Sequence, residues 1–300
     1  MSLLPNGYLN AVVSVEKKVE TQAGEPEKFR SIASGFLVGF PTGQQNDKGD
    51  KFFRIFLISN RHVFKDQKEV WLKFNHASGS KRYLLPLTDE KNNQLWETHS
   101  DKDVDVGVIP IAVNKLQEDG VEFAWIAEDL FAYLDKIKEL GITQGDEMFV
   151  LGFPMGIAGE EKKYVIVKGG IISRLDDEII KSTKTFLVDS SVFPGNSGGP
   201  VILKPAIVSI DGTSPVNRAY LLGLVKGYIP YEEIAYSLQS DPPQPRIKFV
   251  ENSGLASVVP MDFVRDVVQD MIPKEQPTKQ EEKQLATPEG SPGEIQTVKN

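Results

Sequence analysis

Residues 193–200 read Phe193-Pro194-Gly195-Asn196-Ser197-Gly198-Gly199-Pro200, and the interpretation of the whole chain depends on this run. A serine that attacks a carbonyl carbon needs a tight turn that exposes its Oγ, with unobstructed backbone N–H groups aimed at the developing oxyanion. Gly195 and Ser197 can supply two such N–H groups, and the glycines after Ser197 let the next strand leave at close quarters. Taken alone, such a run is more often a glycine-rich β-turn. A nucleophile is indicated only if a base and an orienting carboxylate accompany it.

The base in such a site is most often a histidine, and the chain has three. His62 comes just after an apolar run, at a point where a rigid strand meets a loop. His76 and His99 lie in polar stretches, and a surface or structural role is the simpler interpretation of both. The sequence therefore favours His62 as the base.

An acidic residue is needed to fix the imidazole tautomer, and it should be partly buried near the start of a strand. Asp105 opens the apolar run 106–111, where burial without a partner would be costly. Asp103 lies two residues upstream and would point to the same face of the strand. We rank Asp105 first and Asp103 second.

The composition excludes several classes of site. The chain has 300 residues, no Cys, three His, and 34 Lys and Arg against 42 Asp and Glu, a net charge of −8. Without Cys there is no disulfide, thiol nucleophile or thiolate zinc site, and three scattered histidines do not suit a metal centre. We therefore predict no metal and no other cofactor. The acidic balance argues against nucleic acid and an anionic membrane as partners.

The hydropathy and the N-terminal residues predict a cytoplasmic protein. No run approaches the roughly 18 apolar residues that span a bilayer. Residues 1–8 have neither the basic start nor the apolar core of a secretory signal.

Apolar runs of strand length recur from residue 10 to about 260, and Gly, Pro, Asn or Asp bound them. Such spacing is typical of an all-β sandwich or barrel. The predicted strands are residues 11–15, 33–40, 52–59, 69–74, 104–111, 147–153, 163–172, 185–190, 219–226 and 254–259.

Two segments have helical periodicity and divide the chain. Residues 130–140 end at Gly141, a plausible C-cap, and residues 261–268 follow Pro260. We predict four parts: an N-terminal β-barrel with His and Asp (1–111), a connection with a helix (112–146), a C-terminal β-barrel with Ser and a closing helix (147–272), and a disordered polar tail (273–300).

The order His62, Asp105, Ser197 along the chain resembles that of chymotrypsin-like serine proteases, and it differs from the orders in subtilisins and α/β-hydrolases. The surrounding motifs are most similar to those of the bacterial Deg-type branch. They are residues 33–38 (Ala-Ser-Gly-Phe-Leu-Val), 60–63 (Asn-Arg-His-Val), 105–108 (Asp-Val-Gly-Val), 151–156 (Leu-Gly-Phe-Pro-Met-Gly), 169–173 (Gly-Gly-Ile-Ile-Ser) and 189–200 around the serine. The resemblance covers roughly residues 10–270 and implies two six-stranded antiparallel β-barrels.

The resemblance also implies a function. The chain would be a serine endopeptidase that hydrolyses polypeptide substrates through an acyl-enzyme. Ser197 would be the nucleophile, His62 the base, Asp105 the orienting carboxylate, and Gly195 part of the oxyanion hole.

A specificity pocket follows from the same resemblance. Ser191 would lie near its base, Lys226 and Tyr228 on one wall, and Gly254 on the other. Because Ser191 carries no charge, we predict a preference for a small or medium apolar residue on the acyl side of the cut.

Two departures from the Deg-type pattern leave alternatives open. Only the polar tail follows the last predicted helix, so we expect no peptide-binding PDZ domain. Residue 196 is Asn where digestive members of the wider family have an Asp that pairs with a new N-terminus, so activation by clipping is disfavoured. The alternatives are a latent or inactive protease fold acting as a regulated binding or scaffold module, and an esterase. Neither an activating partner nor self-association can be read from the sequence.

Overall fold

The fold was obtained as a computed structural model, which describes residues 4–22, 24–47, 49–206, 213–237, 239, 242, 244–272 and 296–297. Every apolar run predicted as a strand overlaps an observed strand, and helices are few and short. The prediction of an all-β protein built from two antiparallel sheets is confirmed.

The first half of the chain forms one sheet whose main path is β5-β4-β1-β2-β3-β7-β6. Two further short strands attach to it, β8 to β4 and β9 in parallel to β2. The sheet therefore has more strands than the six expected. The bounds are β1 Val12–Val19, β2 Lys28–Gln45, β3 Lys51–Ser59, β4 Glu69–His76, β5 Gly79–Pro86, β6 Glu97–Thr98, β7 Gly107–Pro110, β8 Val121–Glu122 and β9 Ala124–Ala127.

The second half closes into a six-stranded barrel in the order β10-β11-β12-β15-β14-β13. Its last hairpin, β14 and β15, is much longer than the predicted runs 219–226 and 254–259. The bounds are β10 Glu147–Gly152, β11 Ile166–Arg174, β12 Phe186–Asp189, β13 Pro200–Leu203, β14 Leu221–Ser237 and β15 Gln244–Pro260.

The helices differ in part from the prediction. The segment predicted as helical from residue 130 is helical only from Leu134, because the backbone of Ala132 instead donates a hydrogen bond to Leu221 O at 2.9 Å. The closing helix begins where expected, after Pro260, and runs three residues further. The helices are α1 Asn6–Ala11, α2 Arg61–Phe64, α3 Asn114–Glu118, α4 Leu134–Glu139, α5 Asp177–Thr183 and α6 Met261–Met271, with 3₁₀ turns at Glu128–Leu130 and Pro154–Gly156.

Buried apolar side chains form a core within each half and a third cluster between them. Phe64 and Trp125 lie in the first core, and Phe186 and Val188 in the second. The cluster between the halves joins residues of both sheets to the closing helix, among them Phe36, Val106, Leu151, Phe153 and Val264. This packing fixes the relative positions of the loops at the junction, where the candidate site lies.

The predicted tail, residues 273–300, lies outside the described residues apart from a two-residue strand, β16 Gln296–Thr297. That strand pairs antiparallel with Ala124 and Trp125 of β9.

Candidate active site

His62 and Asp105 lie side by side because the strands that lead to them are paired. β3 ends at Ser59, and Ser59 pairs with Gly107 at the start of β7. His62 follows β3 on the short helix α2, and Asp105 precedes β7, so both loops open at the same end of the sheet. Adjacent strand ends thus position the predicted base and carboxylate.

Asp105 holds His62 at two points. Its Oδ2 is 2.6 Å from Nδ1 of the imidazole, and its Oδ1 accepts the backbone N–H of His62 at 3.0 Å. The backbone carbonyl of Asp105 accepts a hydrogen bond from Asn60 Nδ2 at 2.9 Å. The carboxylate is buried, whereas about half of the imidazole is exposed. The ring is therefore oriented from its inner edge while its outer edge stays accessible.

The environment keeps Asp105 ionised. Burial alone would raise the pKa of the Asp105 carboxyl, since it penalises the charged form. Hydrogen bonds from the ring and backbone of His62, together with the charges of His62 and Lys226, outweigh burial and hold that pKa below its ordinary value.

The alternative residues make other contacts. Asp103 is exposed, and within the described part of the chain no hydrogen bond or ion pair joins it to His62. His76 Nδ1 lies 2.9 Å from Ser78 Oγ, and the His99 ring packs edge-on against Phe263 of the closing helix.

Ser197 lies in the loop between β12 and β13, and its hydroxyl is bonded to the neighbouring strand. Its Oγ donates to the carbonyl of Lys226 at 3.2 Å, and among the described residues it makes no hydrogen bond to His62. Two contacts link its loop to the end of β3, from which the histidine loop begins. Ser34 N donates to Ser197 O at 2.9 Å, and Ser59 Oγ, next to the histidine loop, donates to Ser34 O at 2.8 Å.

Ser34 was not predicted as a site residue, because residues 33–38 indicated only a strand. Besides its bond to Ser197, its Oγ donates to Gly195 O at 2.7 Å and accepts from Phe153 N at 3.0 Å. One serine of the first sheet thereby bonds both the serine loop and the loop of residues 153–165 that packs behind it. The signal was a buried polar residue within an apolar run, a position that requires partners.

The peptide bond between Pro194 and Gly195 has a fixed orientation. Pro194 O accepts from Met155 N at 2.6 Å, and because a trans peptide is planar, the N–H of Gly195 points the opposite way. Within the described residues, neither this N–H nor that of Ser197 donates to a protein acceptor. Gly195 has φ +100°, and a Cβ there would lie 2.3 Å from Phe153 O, so glycine is required.

Asn196 orders the serine loop without an ion pair. Its side chain is fully buried, and Oδ1 accepts the N–H of Phe193 at 3.0 Å. Its own N–H donates to Phe193 O at 2.9 Å, which closes the turn from both sides. A local amide thus holds the turn that carries Ser197.

The predicted pocket residues lie around the foot of the hairpin. Lys226 and Tyr228 are on β14, and Tyr228 pairs with Ala256 of β15, two residues beyond Gly254. Gly254 O accepts the N–H of Ser190 at 3.0 Å, which ties this wall to the segment that holds Ser191.

Lys168, which the sequence argument did not consider, adds a positive charge at Ser191. Its ammonium donates to Ser191 O and lies 4.7 Å from the centre of the Phe193 ring. Burial lowers the pKa of Lys168. The expected uncharged base of the pocket therefore has a cation beside it.

Two buried lysines attach the loop behind the serine loop, residues 153–165, to the first sheet. Lys73 Nζ donates to the carbonyls of Gly159 and Glu160 at 2.7 and 2.9 Å. Lys163, only 3% exposed, donates through Nζ to Val12 O. Burial lowers the pKa of Lys163 to about 7, although the carboxylate of Glu122 opposes that effect.

Stability should rise with pH because of Lys163. Between about pH 7 and 10 the folded lysine has lost its proton while the unfolded one keeps it, so the unfolded state binds more protons. From pH 7 to pH 9 we expect the free energy of unfolding to increase by about 2 kcal/mol more in the wild type than in Lys163→Met. Urea unfolding followed by Trp fluorescence measures both. Equal increases in the two proteins would contradict the buried position of this amine.

Comparison with known proteins identifies a family. The family model described as a trypsin-like peptidase domain matches residues 33–204. A search of curated protein sequences gives no match. Nothing in these comparisons separates out the Deg-type branch, so that narrower resemblance stays a prediction.

The solved structures that match this chain include two protease domains. The MamO protease domain from Magnetospirillum magneticum, in its apo form, is 13% identical, with 87% of this chain and 96% of that chain covered and a TM-score of 0.45. The Rv3671c protease, in its inactive form, is 14% identical, with 88% and 90% covered and a TM-score of 0.40.

Two other kinds of site are absent from the described residues. Among them, no three His, Asp or Glu side chains form a cluster that could hold a metal ion. No helix in that part of the chain is long and apolar enough to cross a bilayer.

Proposed function

Because this chain belongs to the trypsin-like peptidase family, we propose that it is a serine endopeptidase that cuts polypeptides through an acyl-enzyme on Ser197. His62 is the general base and Asp105 the residue that orients it. The backbone N–H groups of Gly195 and Ser197 form the oxyanion hole.

The proposed reaction uses each group in turn. Ser197 Oγ forms a bond to the carbonyl carbon of the substrate while its proton moves to His62 Nε2. The oxygen, now negative, accepts hydrogen bonds from the two N–H groups. The C–N bond then breaks as the imidazolium gives its proton to the leaving amine. Water repeats the sequence on the ester, which frees the acid and restores Ser197.

The proposal rests on the two hydrogen bonds that His62 makes to the carboxylate of Asp105. A carboxylate that accepts both the ring Nδ1–H, at 2.6 Å, and the backbone N–H, at 3.0 Å, fixes the tautomer. That tautomer leaves the lone pair of Nε2 on the half-exposed edge of the ring. A histidine with a purely structural role has no need of this arrangement.

The charge at the pocket supports a non-basic specificity. Lys168 places its ammonium at Ser191 O, where it would repel a Lys or Arg side chain of a substrate. We propose that the residue on the acyl side of the cut is small or medium and apolar.

One observation favours a second candidate, a protease held in a latent state. The hydroxyl of Ser197 is bonded to Lys226 O and not to the imidazole, so it must rotate before His62 can take its proton. Hydrogen bonds in a catalytic site are often incomplete until substrate is present, and the active enzyme is therefore our first choice.

A fluorophosphonate separates the two candidates. We expect the wild-type protein to gain the mass of one phosphonyl group, since the probe needs both an activated Ser197 and a formed oxyanion hole. The Ser197→Ala variant should gain nothing, and Ser182→Ala, which changes an exposed serine of α5, should react like the wild type. No adduct on the wild type would contradict an assembled site and favour the latent state.

Comparison of ester and amide substrates addresses the remaining alternative. The proposed endopeptidase should turn over peptide amides as well as activated esters. Labelling of Ser197 and ester turnover without cleavage of any peptide would identify an esterase.

A further inference from the structure

The last hairpin of the second barrel extends far beyond the barrel as a two-stranded ribbon, residues 229–237 of β14 and 244–252 of β15. The two strands pair with each other along their length, from Pro230 opposite Asn252 to Ser237 opposite Gln244. Most of its side chains are exposed. An isolated two-stranded ribbon is only marginally stable in water, so an additional strand would stabilise it.

The ribbon carries apolar side chains on both of its faces. Tyr231, Phe249 and Ile247 share one face, since their cross-strand partners are residues 251, 233 and 235. Ile234 and Val250 lie on the other face, beside the ion pair of Lys248 with Glu232 at 2.8 Å. Each of the five apolar side chains is 45–56% exposed. Exposed apolar groups at this density indicate a binding surface.

One edge of the ribbon leads directly to the nucleophile. Strand β13 pairs with β14 only as far as Leu224, and in the described part of the chain no strand pairs with this edge of β14 beyond Val225. The next carbonyl on the strand is that of Lys226, which accepts the hydroxyl of Ser197. The free edge of residues 227–237 is therefore continuous with the proposed catalytic centre.

The opposite edge of the ribbon, on β15, is blocked at its foot. Asn252 Nδ2 donates to Val192 O at 2.6 Å, and Gly254 O accepts the N–H of Ser190. An added strand on that side would end against these loops. Only the β14 edge gives a strand access to Ser197.

The direction of an added strand follows from β13, which lies on the same edge. β13 runs antiparallel to β14, away from Ser197. A chain that continues this arrangement along the ribbon would run from residue 237 towards residue 227 and would reach Ser197 with its C-terminal end. The residues paired with the ribbon are then those on the acyl side of the scissile bond.

We propose that the free edge of β14, over residues 229–237, binds the acyl side of extended, apolar polypeptide segments by strand addition. The inference rests on the proposed function and adds a substrate class to it: unfolded chain with about ten residues before the cut, or roughly 30 Å of extended backbone. Main-chain hydrogen bonds give the affinity. Tyr231 on one face of β14 and Ile234 on the other favour apolar side chains on both faces of the added strand.

The test compares two peptides with the same cut site and the same leaving side, one with three and one with eleven residues on the acyl side. For the wild type we expect kcat/KM to be at least about tenfold higher for the longer peptide, since several added cross-strand pairs contribute. N-methylation of alternate acyl-side residues should abolish this gain in one register and spare it in the other. Equal kcat/KM for both lengths would overturn the inference and leave the endopeptidase intact.

A shortened protein provides the matching variant. Replacement of residues 231–251 by Asn-Gly joins Pro230 to Asn252 through a two-residue hairpin turn. The ratio of kcat/KM for the two peptides should fall to about one, whereas Leu84→Ala, an exposed apolar residue of β5, should keep the wild-type ratio. An unchanged ratio in the shortened protein would contradict binding at the ribbon.

Binding separates this inference from the proposed chemistry. With Ser197→Ala we expect fluorescence anisotropy to show at least about tenfold tighter binding of the longer peptide, whether or not the wild type cleaves it. Equal affinities would overturn the inference. Sedimentation velocity tests whether a second copy of the chain occupies the ribbon instead. A dimer that the shortened protein cannot form would assign the ribbon to self-association and likewise overturn the proposal.

Discussion

Replacement of Asp105 by asparagine is expected to lower kcat/KM for a peptide substrate by about 10⁴-fold with little change in fold. The carboxylate uses one oxygen for the backbone N–H of His62 and the other for the ring. An amide of the same shape has one oxygen and one NH₂ group, so it can accept only one of these two hydrogen bonds. Either choice leaves a donor facing a donor or reverses the imidazole tautomer.

The reversed tautomer explains the size of the loss. If the NH₂ group faces the ring, Nδ1 becomes the acceptor and the proton moves to Nε2. The imidazole then cannot take the proton of Ser197. Steady-state cleavage of one peptide by the two proteins measures the effect, and Asp103→Asn provides the matched control because Asp103 is exposed two residues away. A loss of less than about tenfold in Asp105→Asn would exclude Asp105 as the orienting residue.

The same substitution has a consequence for stability. The pKa of Asp105 is depressed in the folded state, so its contribution to the free energy of unfolding is present above the pKa of the unfolded side chain and is lost as the pH falls through the folded value. The difference in stability between wild type and Asp105→Asn should therefore shrink below about pH 4.

The candidate site residues could be proposed from the sequence because their signals are local. The glycines around Ser197 and the strand end before His62 can each be read from a few neighbouring residues. The bonds that assemble the site join distant segments. Ser34 reaches Gly195 and Phe153 from another sheet, and such contacts leave no periodic trace in the sequence.

The elements that were predicted with the wrong length show competition between local preference and tertiary pairing. The segment from residue 130 has helical periodicity, but Phe131 and Ala132 instead pair with Leu221 and begin the second half as extended chain. The ribbon was missed for the opposite reason. Its strands mix charged and apolar residues without regular alternation, and both faces are exposed, so neither a continuous apolar run nor a period of two indicates them. A strand prediction that relies on buried apolar residues finds only the buried inner ends of β14 and β15.

Replacement of Gly198 by alanine is expected to lower kcat/KM by about 10²-fold or more and to destabilise the fold. Gly198 has φ +79°, a conformation that side chains rarely adopt. A Cβ there would lie 2.2 Å from Ser59 Oγ and 2.3 Å from Ser34 O. Both atoms belong to the hydrogen bond between Ser59 and Ser34, so neither can move without breaking it.

The activity falls because the added methyl group must move the turn that carries Ser197. A displacement of about 1 Å at a reacting group can cost about 10²-fold in rate. The strain and the overpacking together should also cost about 2–4 kcal/mol of stability. The rate of fluorophosphonate labelling and the thermal midpoint measure the two effects separately.

Gly169→Ala is the matched control for this substitution. Gly169 has an ordinary backbone conformation on β11, and a Cβ there would have no atom within 4 Å. Its labelling rate and thermal midpoint should stay close to those of the wild type. If Gly198→Ala folds and reacts at the wild-type rate, the serine loop must accommodate a side chain at residue 198. Ser34 and Ser59 would then not fix the serine loop against the end of β3, and other contacts would have to position Ser197 relative to His62.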